Sequence, residues 1–298
     1  SSDRIEKALD LVSKNLGIQA DFFSIPTSIT ASFKIDKESE ETRMERLNPG
    51  KVNLSKLRHV DQTVDYVVED KMTIAEGTDL IEMILEKPPL YNSLLVTLSY
   101  GFISSGVSIF LKGSWIDAFS SFILGLIVGL FSETVKEERI DSIREGLVSF
   151  FIAIVALLST LISPHLNTNI VTLSSLIVLV PGLMLTTSIG ELASQNLTSG
   201  TARLTGSLVI LLKISFGVYL ATQLAMHFGV SPQTTAMTEH SIFVIVPMLI
   251  MVATGLSFTF QARKSDIPWI ILAAMLSYFS SRFFAQISSE AAGPFLSG

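Results

Sequence analysis

Residues Ile170 to Gln223 read IVTLSSLIVLVPGLMLTTSIGELASQNLTSGTARLTGSLVILLKISFGVYLATQ. Two long apolar segments flank a polar link, and Pro181-Gly182 interrupts the first while Lys213 sits inside the second. Proline has no N–H and displaces the carbonyl four residues back, here that of Ile177. In hydrocarbon a freed carbonyl is costly unless protein or cavity water satisfies it. Thr186, Thr187 and Ser188 follow one turn later, which predicts hydroxyls close to the gap. Broken helices at mid-membrane depth hold substrates or ions in secondary transporters. A packing kink is the plainer alternative, since proline and glycine are commoner in membrane helices than in soluble ones. A helix from about Leu204 to Gln223 puts Lys213 near the bilayer centre, where a lysine costs about 2.5 kcal/mol or more and should face protein or water. Gly206, Ile210, Lys213, Gly217 and Ala221 share one helical face, and the small residues let a neighbouring helix come close. Lys213 then either pins the bundle through a carbonyl or hydroxyl, or serves as a counter-charge or protonatable coupling site.

Outward from this stretch, the 298 residues are 48% hydrophobic with a mean hydropathy of +0.52, which defines a polytopic α-helical membrane protein carrying a small soluble part. Most charge precedes Pro88, so the net charge of −6 belongs mainly to that part and gives no reason to expect nucleic acid. With 0 cysteines, disulfides and thiolate metal sites are excluded. No cofactor and no metal site is expected. Ser1 to Leu16 is charged and amphipathic rather than a signal peptide, and a serine at position 1 suggests a chain that begins inside a longer product.

Ile5, Leu9, Val12 and Leu16 recur at helical spacing before Gly17. ADFFSIPTSITASFKI (20–35) reads as strands with a turn or bulge at Pro26, and ETRMERL (41–47) as a further strand ended by Asn48-Pro49-Gly50. Asn53 caps a helix from Leu54 to about Asp70, and Thr73 with Glu76 forms a capping box for another that runs to Lys87 before Pro88-Pro89. Residues 1–90 are thus a small α+β domain without a catalytic triad, phosphate loop or metal spacing.

From Ser93 onward, spans are predicted near 93–111, 115–132, 146–163, 170–190, 204–226, 242–260 and 267–285, each about the 20 residues a bilayer core requires. Asp117 and Glu133, at the two ends of the second span, are expected at the interface, and His165, His227 and His240 in loops facing water. Lys136, Arg139 and Arg144, then Arg203, then Arg263 with Lys264, place three loops and the α+β domain in the cytoplasm by the excess of basic residues. An internal echo links GVSIF from Gly106, ahead of Trp115, to GLSFTF from Gly255, ahead of Pro268-Trp269. If the sixth span repeats the first, the repeat is five spans long and its second copy is inverted. This divides the chain into 1–90, a first repeat at 91–229, and 230–298 as two spans of a truncated second repeat, with ten spans in the complete protein.

These residues resemble the threonine/serine exporter family over nearly the whole chain. Arg4-Ile5-Glu6 is similar to the family's Arg-Val-Glu helix motif, and Asn53-Leu54-Ser55-Lys56-Leu57 to its Asn-Leu-x-Lys-Leu segment. Val180-Pro181-Gly182 with Ser199-Gly200 and Arg203 is the most specific match, to Leu-Val-Pro-Gly…Ser-Gly-x-x-Arg. Glu191 stands where an aspartate is usual, Gly190 and Asn196 where arginine and aspartate are frequent, and Lys213 where an apolar residue is usual. The resemblance implies export of threonine and serine across the inner (plasma) membrane, driven by the proton gradient or membrane potential, with a cytoplasmic N-terminal domain. Split relatives are linked to dicarboxylate export.

The expected substrate site is the broken helix, with half-helix N–H groups at Pro181-Gly182 on the carboxylate and with Thr186 and Thr187 on the ammonium and side-chain hydroxyl. Lys213 is expected to bind a carboxylate or take part in coupling, and Arg203 to anchor the cytoplasmic end with Glu191 as partner. Succinate-type dicarboxylates are the alternative substrates, and a membrane-anchored sensor or enzyme built on residues 1–90 is the reading from another class. Expected partners are the small-molecule substrate, the lipid bilayer and, in a homo-oligomer, further copies of the chain.

Overall fold

A computed structural model of the chain describes residues 2–34, 40–47, 52–134 and 143–287. Asn48-Pro49-Gly50, Lys136 and Arg139 lie outside the described residues. The chain divides into two compact units, Ser1–Pro88 with Pro181–Leu211, and Pro89–Val180 with Leu212–Gly298.

The first unit opens with helix α1 (Ser2–Asn15), followed by β1 (Ala20–Ile25), β2 (Ser28–Lys34) and β3 (Glu40–Arg46) in an antiparallel sheet of order β1-β2-β3. Pro26-Thr27 forms the two-residue turn of the first hairpin, since Ile25 pairs with Ser28. Helices α2 (Leu54–Val68) and α3 (Ile74–Glu86) start at the predicted caps. Asn53 Oδ1 accepts from the Lys56 N–H at 2.9 Å, and the Thr73 N–H donates to Glu76 Oε2 at 2.9 Å. The Thr73 N–H and hydroxyl hold the Glu76 carboxyl below the ordinary carboxylate range. The unit also contains α8 (Gly182–Ala193) and the first half of α9 (Leu197–His227).

Helix α9 is 31 residues long and starts seven residues earlier than the predicted Leu204, because the turn between α8 and α9 is short. Gln195 at φ +65° reverses the chain there, and the Asn196 N–H donates to the Glu191 carbonyl at 2.9 Å. Arg203 therefore lies on a helix rather than in a loop.

The second unit holds α4 (Ser93–Phe110), α5 (Trp115–Thr134), α6 (Arg144–Ser159), α7 (Thr168–Leu176) with a 3₁₀ turn (Ile177–Leu179), the second half of α9, α10 (Ile242–Thr259) and α11 (Ile267–Ile287). Among the described residues, five helices are long and apolar enough to cross a membrane, namely α4, α5, α9, α10 and α11. The pair Thr168–Leu179 and Gly182–Ala193 makes a sixth if counted as one broken span. The third predicted span, 146–163, corresponds to the 16-residue α6, which ends at Ser159 because a capping turn at Thr160 follows.

Helices α4 and α10 meet through two matched contacts. A Cβ on Gly106 would lie 2.4 Å from Val252 Cγ2 and 3.4 Å from the Met248 carbonyl, while one on Gly255 would lie 2.8 Å from Ile103 Cγ1 and 3.4 Å from the Ser99 carbonyl. Gly106, Ile103 and Ser99 map onto Gly255, Val252 and Met248 by one constant offset, the offset of the GVSIF and GLSFTF segments. Serines supply further polar ties in this core, as between Ser121 Oγ and Ser174 Oγ at 2.7 Å, both buried.

The loops at one end of this unit interlock. The Asn167 N–H donates to Asp117 Oδ1 at 2.7 Å, the Thr168 N–H to the Gln233 carbonyl at 3.0 Å, and the Thr238 N–H to the Lys112 carbonyl at 2.7 Å. Asp117 is 0% exposed, contrary to the interfacial position predicted for it. Its second oxygen caps α5 by accepting from the Ser114 N–H at 2.7 Å, so its charge is matched by N–H donors instead of water. Glu133 is half-buried. His240 also departs from prediction: its Nε2 lies 2.7 Å from the Gly113 carbonyl and its ring packs edge-on against Trp115. At the opposite end, the Tyr91 hydroxyl donates to the Ala262 carbonyl and the Tyr91 N–H to Gln261 Oε1, each at 2.9 Å.

Lys112 Nζ lies 2.5 Å from Glu239 Oε1, and this hydrogen bond and charge hold the Glu239 carboxyl below its ordinary range. A carboxyl lowered in the folded state stabilises the fold above its unfolded pKa, and the contribution disappears as pH falls through the folded value. Protection of the Thr238 amide, taken relative to its intrinsic exchange rate at each pH, is therefore expected to fall as the Glu239 carboxylate is protonated, and Glu239→Gln should remove that dependence. An unchanged pH profile in the variant would exclude the clasp as the cause.

Candidate functional site

Helices α6 and α9 touch at two glycines. A Cβ on Gly217 would fall 2.3 Å from the Gly146 carbonyl oxygen, so the backbones are in direct contact. Beside this crossing, Lys213 Nζ lies 3.6 Å from Glu145 Oε2, with the two side chains 32% and 13% exposed. The separation is longer than a hydrogen bond, and Glu145 Oε2 is buried with no hydrogen-bond partner. Arg144 Nη2 lies 3.6 Å from the other oxygen. Glu145 occupies the first turn of α6, where a carboxylate also suits the helix dipole. Lys213 is thus level with the first turn of α6 and paired with its carboxylate. The face on which it was predicted to lie does pack: Gly217 is buried and Ala221 is 0% exposed.

Beyond this pair a cleft of about 470 Å³ opens between α6, α7 and α9. Thr168, Asn169 and Thr172 line it from α7, and Ser215, Tyr219 and Thr222 from α9. Ala153 and Leu157 of α6 supply an apolar wall, and Val180 stands at the edge where the chain breaks. Thr168 Oγ1 accepts from the Gln233 N–H at 3.1 Å, a bond that leaves its own proton available. Thr222 donates to the Val218 carbonyl at 2.9 Å and keeps lone pairs for an incoming donor. No Asp, Glu, Lys or Arg lines the cleft among the described residues.

The break itself is organised differently from the prediction. The Ile177 carbonyl that Pro181 would orphan accepts from the Val180 N–H at 3.1 Å through the 3₁₀ turn. Thr186 and Thr187 turn their hydroxyls back along α8, donating to the Gly182 and Leu183 carbonyls at 3.0 and 2.8 Å. The walls of the cleft all belong to the second unit, whereas Pro181, Gly182, Thr186, Thr187, Glu191 and Arg203 belong to the first.

Within the first unit Glu191 and Arg203 do come together. Glu191 is 1% exposed, its Oε2 lies 3.1 Å from Arg203 Nε without the alignment of a hydrogen bond, and its Oε1 accepts from the Ser2 N–H at 2.9 Å. Ser199 Oγ donates to the Ser24 carbonyl at 3.0 Å nearby in sequence on α9. Sequence reading missed Glu145 and the α7–α9 hydroxyls. Glu145 stood one residue outside a predicted span, and the only available signal was an acidic residue able to answer a lone intramembrane lysine.

Helices of this length and apolarity, joined to a small α+β portion, define a polytopic helical membrane protein. The chain belongs to the threonine/serine exporter family, whose model, described as "ThrE: Putative threonine/serine exporter", matches residues 1–225. It is similar to the pheromone-regulated membrane protein 10 of Eremothecium gossypii, with 28% identity over 94% of this chain and 39% of that protein. The proteins of the same name from Kluyveromyces lactis and Saccharomyces cerevisiae are 27% and 25% identical, each over 95% of this chain and over 31% and 38% of their own lengths. The chain thus spans less than two-fifths of these relatives. No solved structure matches it.

Proposed function

We propose that the protein is a secondary transporter exporting small hydroxy amino acids, threonine and serine, and that the substrate occupies the cleft between α6, α7 and α9. The cleft carries this reading: it is large enough for such a molecule, and its hydroxyls and amide can both donate and accept. Pro181-Gly182 ends the α7 segment at the cleft's edge, next to Val180. The α8 hydroxyls of Thr186 and Thr187 are not among the groups that line the cleft. Among the described residues no Lys or Arg lines the cleft to match the second carboxylate of succinate, and this favours an amino acid. Membrane potential or the proton gradient drives the export, and the plasma membrane is its location, with residues 1–90 on the cytoplasmic side.

Efflux of labelled threonine, serine and succinate from preloaded cells tests the reading. Threonine and serine should leave, succinate should not compete, and Thr172→Val should raise the half-saturating threonine concentration with little change in succinate efflux. Succinate efflux in place of threonine efflux would overturn the substrate, and an unaltered threonine profile in Thr172→Val together with Thr222→Val would overturn the site.

A further inference from the structure

We infer that Glu145 and Lys213 form a gate that closes the cleft at the end of the unit where Tyr91 meets Ala262, and that a zwitterionic substrate opens it by exchanging partners with the pair. The inference rests on the reading of the cleft as the substrate site. Thr168, Thr222 and Pro232 line the cleft near the interlocked loops, which marks one end. Toward the other end, Lys213 is the residue directly beyond Ile214 on α9, and Glu145 opens α6 two turns before Ala153. The pair and the Gly146–Gly217 crossing lie together there, so α6 and α9 are in contact at that end and a route past it requires the two helices to part.

The pair has the features of a contact made to be broken. Its charges sit 3.6 Å apart with no hydrogen bond between them, and Glu145 Oε2 is buried and, among the described residues, otherwise without a donor. Arg144 on the same helix is a further charged group beside Glu145. A buried carboxylate held by attraction alone gains from any ammonium that can reach hydrogen-bonding distance. An amino acid brings both an ammonium for Glu145 and a carboxylate for Lys213, so it can replace each partner without leaving either charge bare. A dicarboxylate satisfies Lys213 only, and it would face Glu145 with a like charge. The gate thereby selects for zwitterions over dianions before the substrate reaches the hydroxyls of the cleft.

The 298 residues contain no cysteine, which makes Val218→Cys a single reporter on the wall of the cleft. Labelling of the introduced thiol by a membrane-impermeant maleimide would be followed by peptide mapping in vesicles of both orientations. From the gated face, Glu145→Gln and Lys213→Met, each added to Val218→Cys, should raise the labelling rate about tenfold, the population change that about 1.4 kcal/mol produces. Lys213→Arg, which keeps the charge, should leave the rate near that of the reporter chain. Glu145→Gln should in addition let succinate slow labelling. Unchanged rates on adding either neutralising substitution overturn the gate, as does an equal increase with Lys213→Arg, because that would be a loss of packing. Protection of the thiol by threonine in the reporter chain reports separately on the cleft. If protection is absent while the added substitutions still open the route, the substrate reading fails and the gate stands.

Discussion

Asp117→Ala is expected to be the most damaging single substitution outside the cleft, lowering the thermal midpoint in detergent far more than any change at the exposed residues of the same loop. The carboxylate is fully buried and serves three donors: the Ser114 N–H, the Ser114 hydroxyl at 2.9 Å and the Asn167 N–H. Removing it strands the buried Asn167 N–H, at about 1–3 kcal/mol when unpaired, and also takes the acceptor from the half-buried Ser114 N–H. Asp117→Asn keeps one accepting oxygen and should lose roughly half as much. Tryptophan fluorescence is a suitable readout, since Trp115 lies two residues away and packs against His240. A midpoint for Asp117→Ala within a degree of the parent would show that water replaces the carboxylate and that this end of the unit is not closed as described.

Gly217→Ala should have the second large effect, through packing alone. Its methyl would stand 2.3 Å from the Gly146 carbonyl oxygen and 3.0 Å from the Phe150 nitrogen, both backbone atoms that no rotamer change can move aside. Forcing the helices apart costs about 1–3 kcal/mol and lengthens the reach from Lys213 to Glu145. Transport and stability should therefore fall together. Gly190→Ala is the control, because nothing lies within 4 Å of a Cβ there and the residue is exposed on α8. It should be neutral or stabilising by up to about 1 kcal/mol from helix propensity. Equal behaviour of the two variants, measured as surviving monodisperse protein after heating, would exclude close helix approach as the function of Gly217.

The contrast between these residues shows which physical signals a sequence carries. Capping at Asn53 and at Thr73 with Glu76 was legible because it depends on residues three positions apart, and the apolar lengths of α4, α5, α10 and α11 because hydropathy is local. The pairing of Glu191 with Arg203 was within reach because both lie on one helical hairpin. Glu145 and Lys213 are brought together by the packing of α6 on α9, which no spacing rule encodes. Asp117 misled for a related reason: an acidic residue opening a span usually faces water, and only the distant Asn167 N–H makes burial affordable here. The direction of the Thr186 and Thr187 hydroxyls was not legible either, because a hydroxyl on a helix can donate four residues back, as both do here. Pro247, inside α10, drew no attention in the sequence and is accommodated without ending the helix.

The matched glycine contacts between α4 and α10 have a mechanical consequence. Gly106 touches α10 at Val252 and Met248, and Gly255 touches α4 at Ile103 and Ser99, so the helices run antiparallel and are pinned at two separated points. Two rods fastened at one point can swivel, but two rods fastened at two points turn only together. Helices α4 and α10 therefore behave as a single beam, and any rocking that exposes the cleft to alternate faces must take place around this beam and not within it.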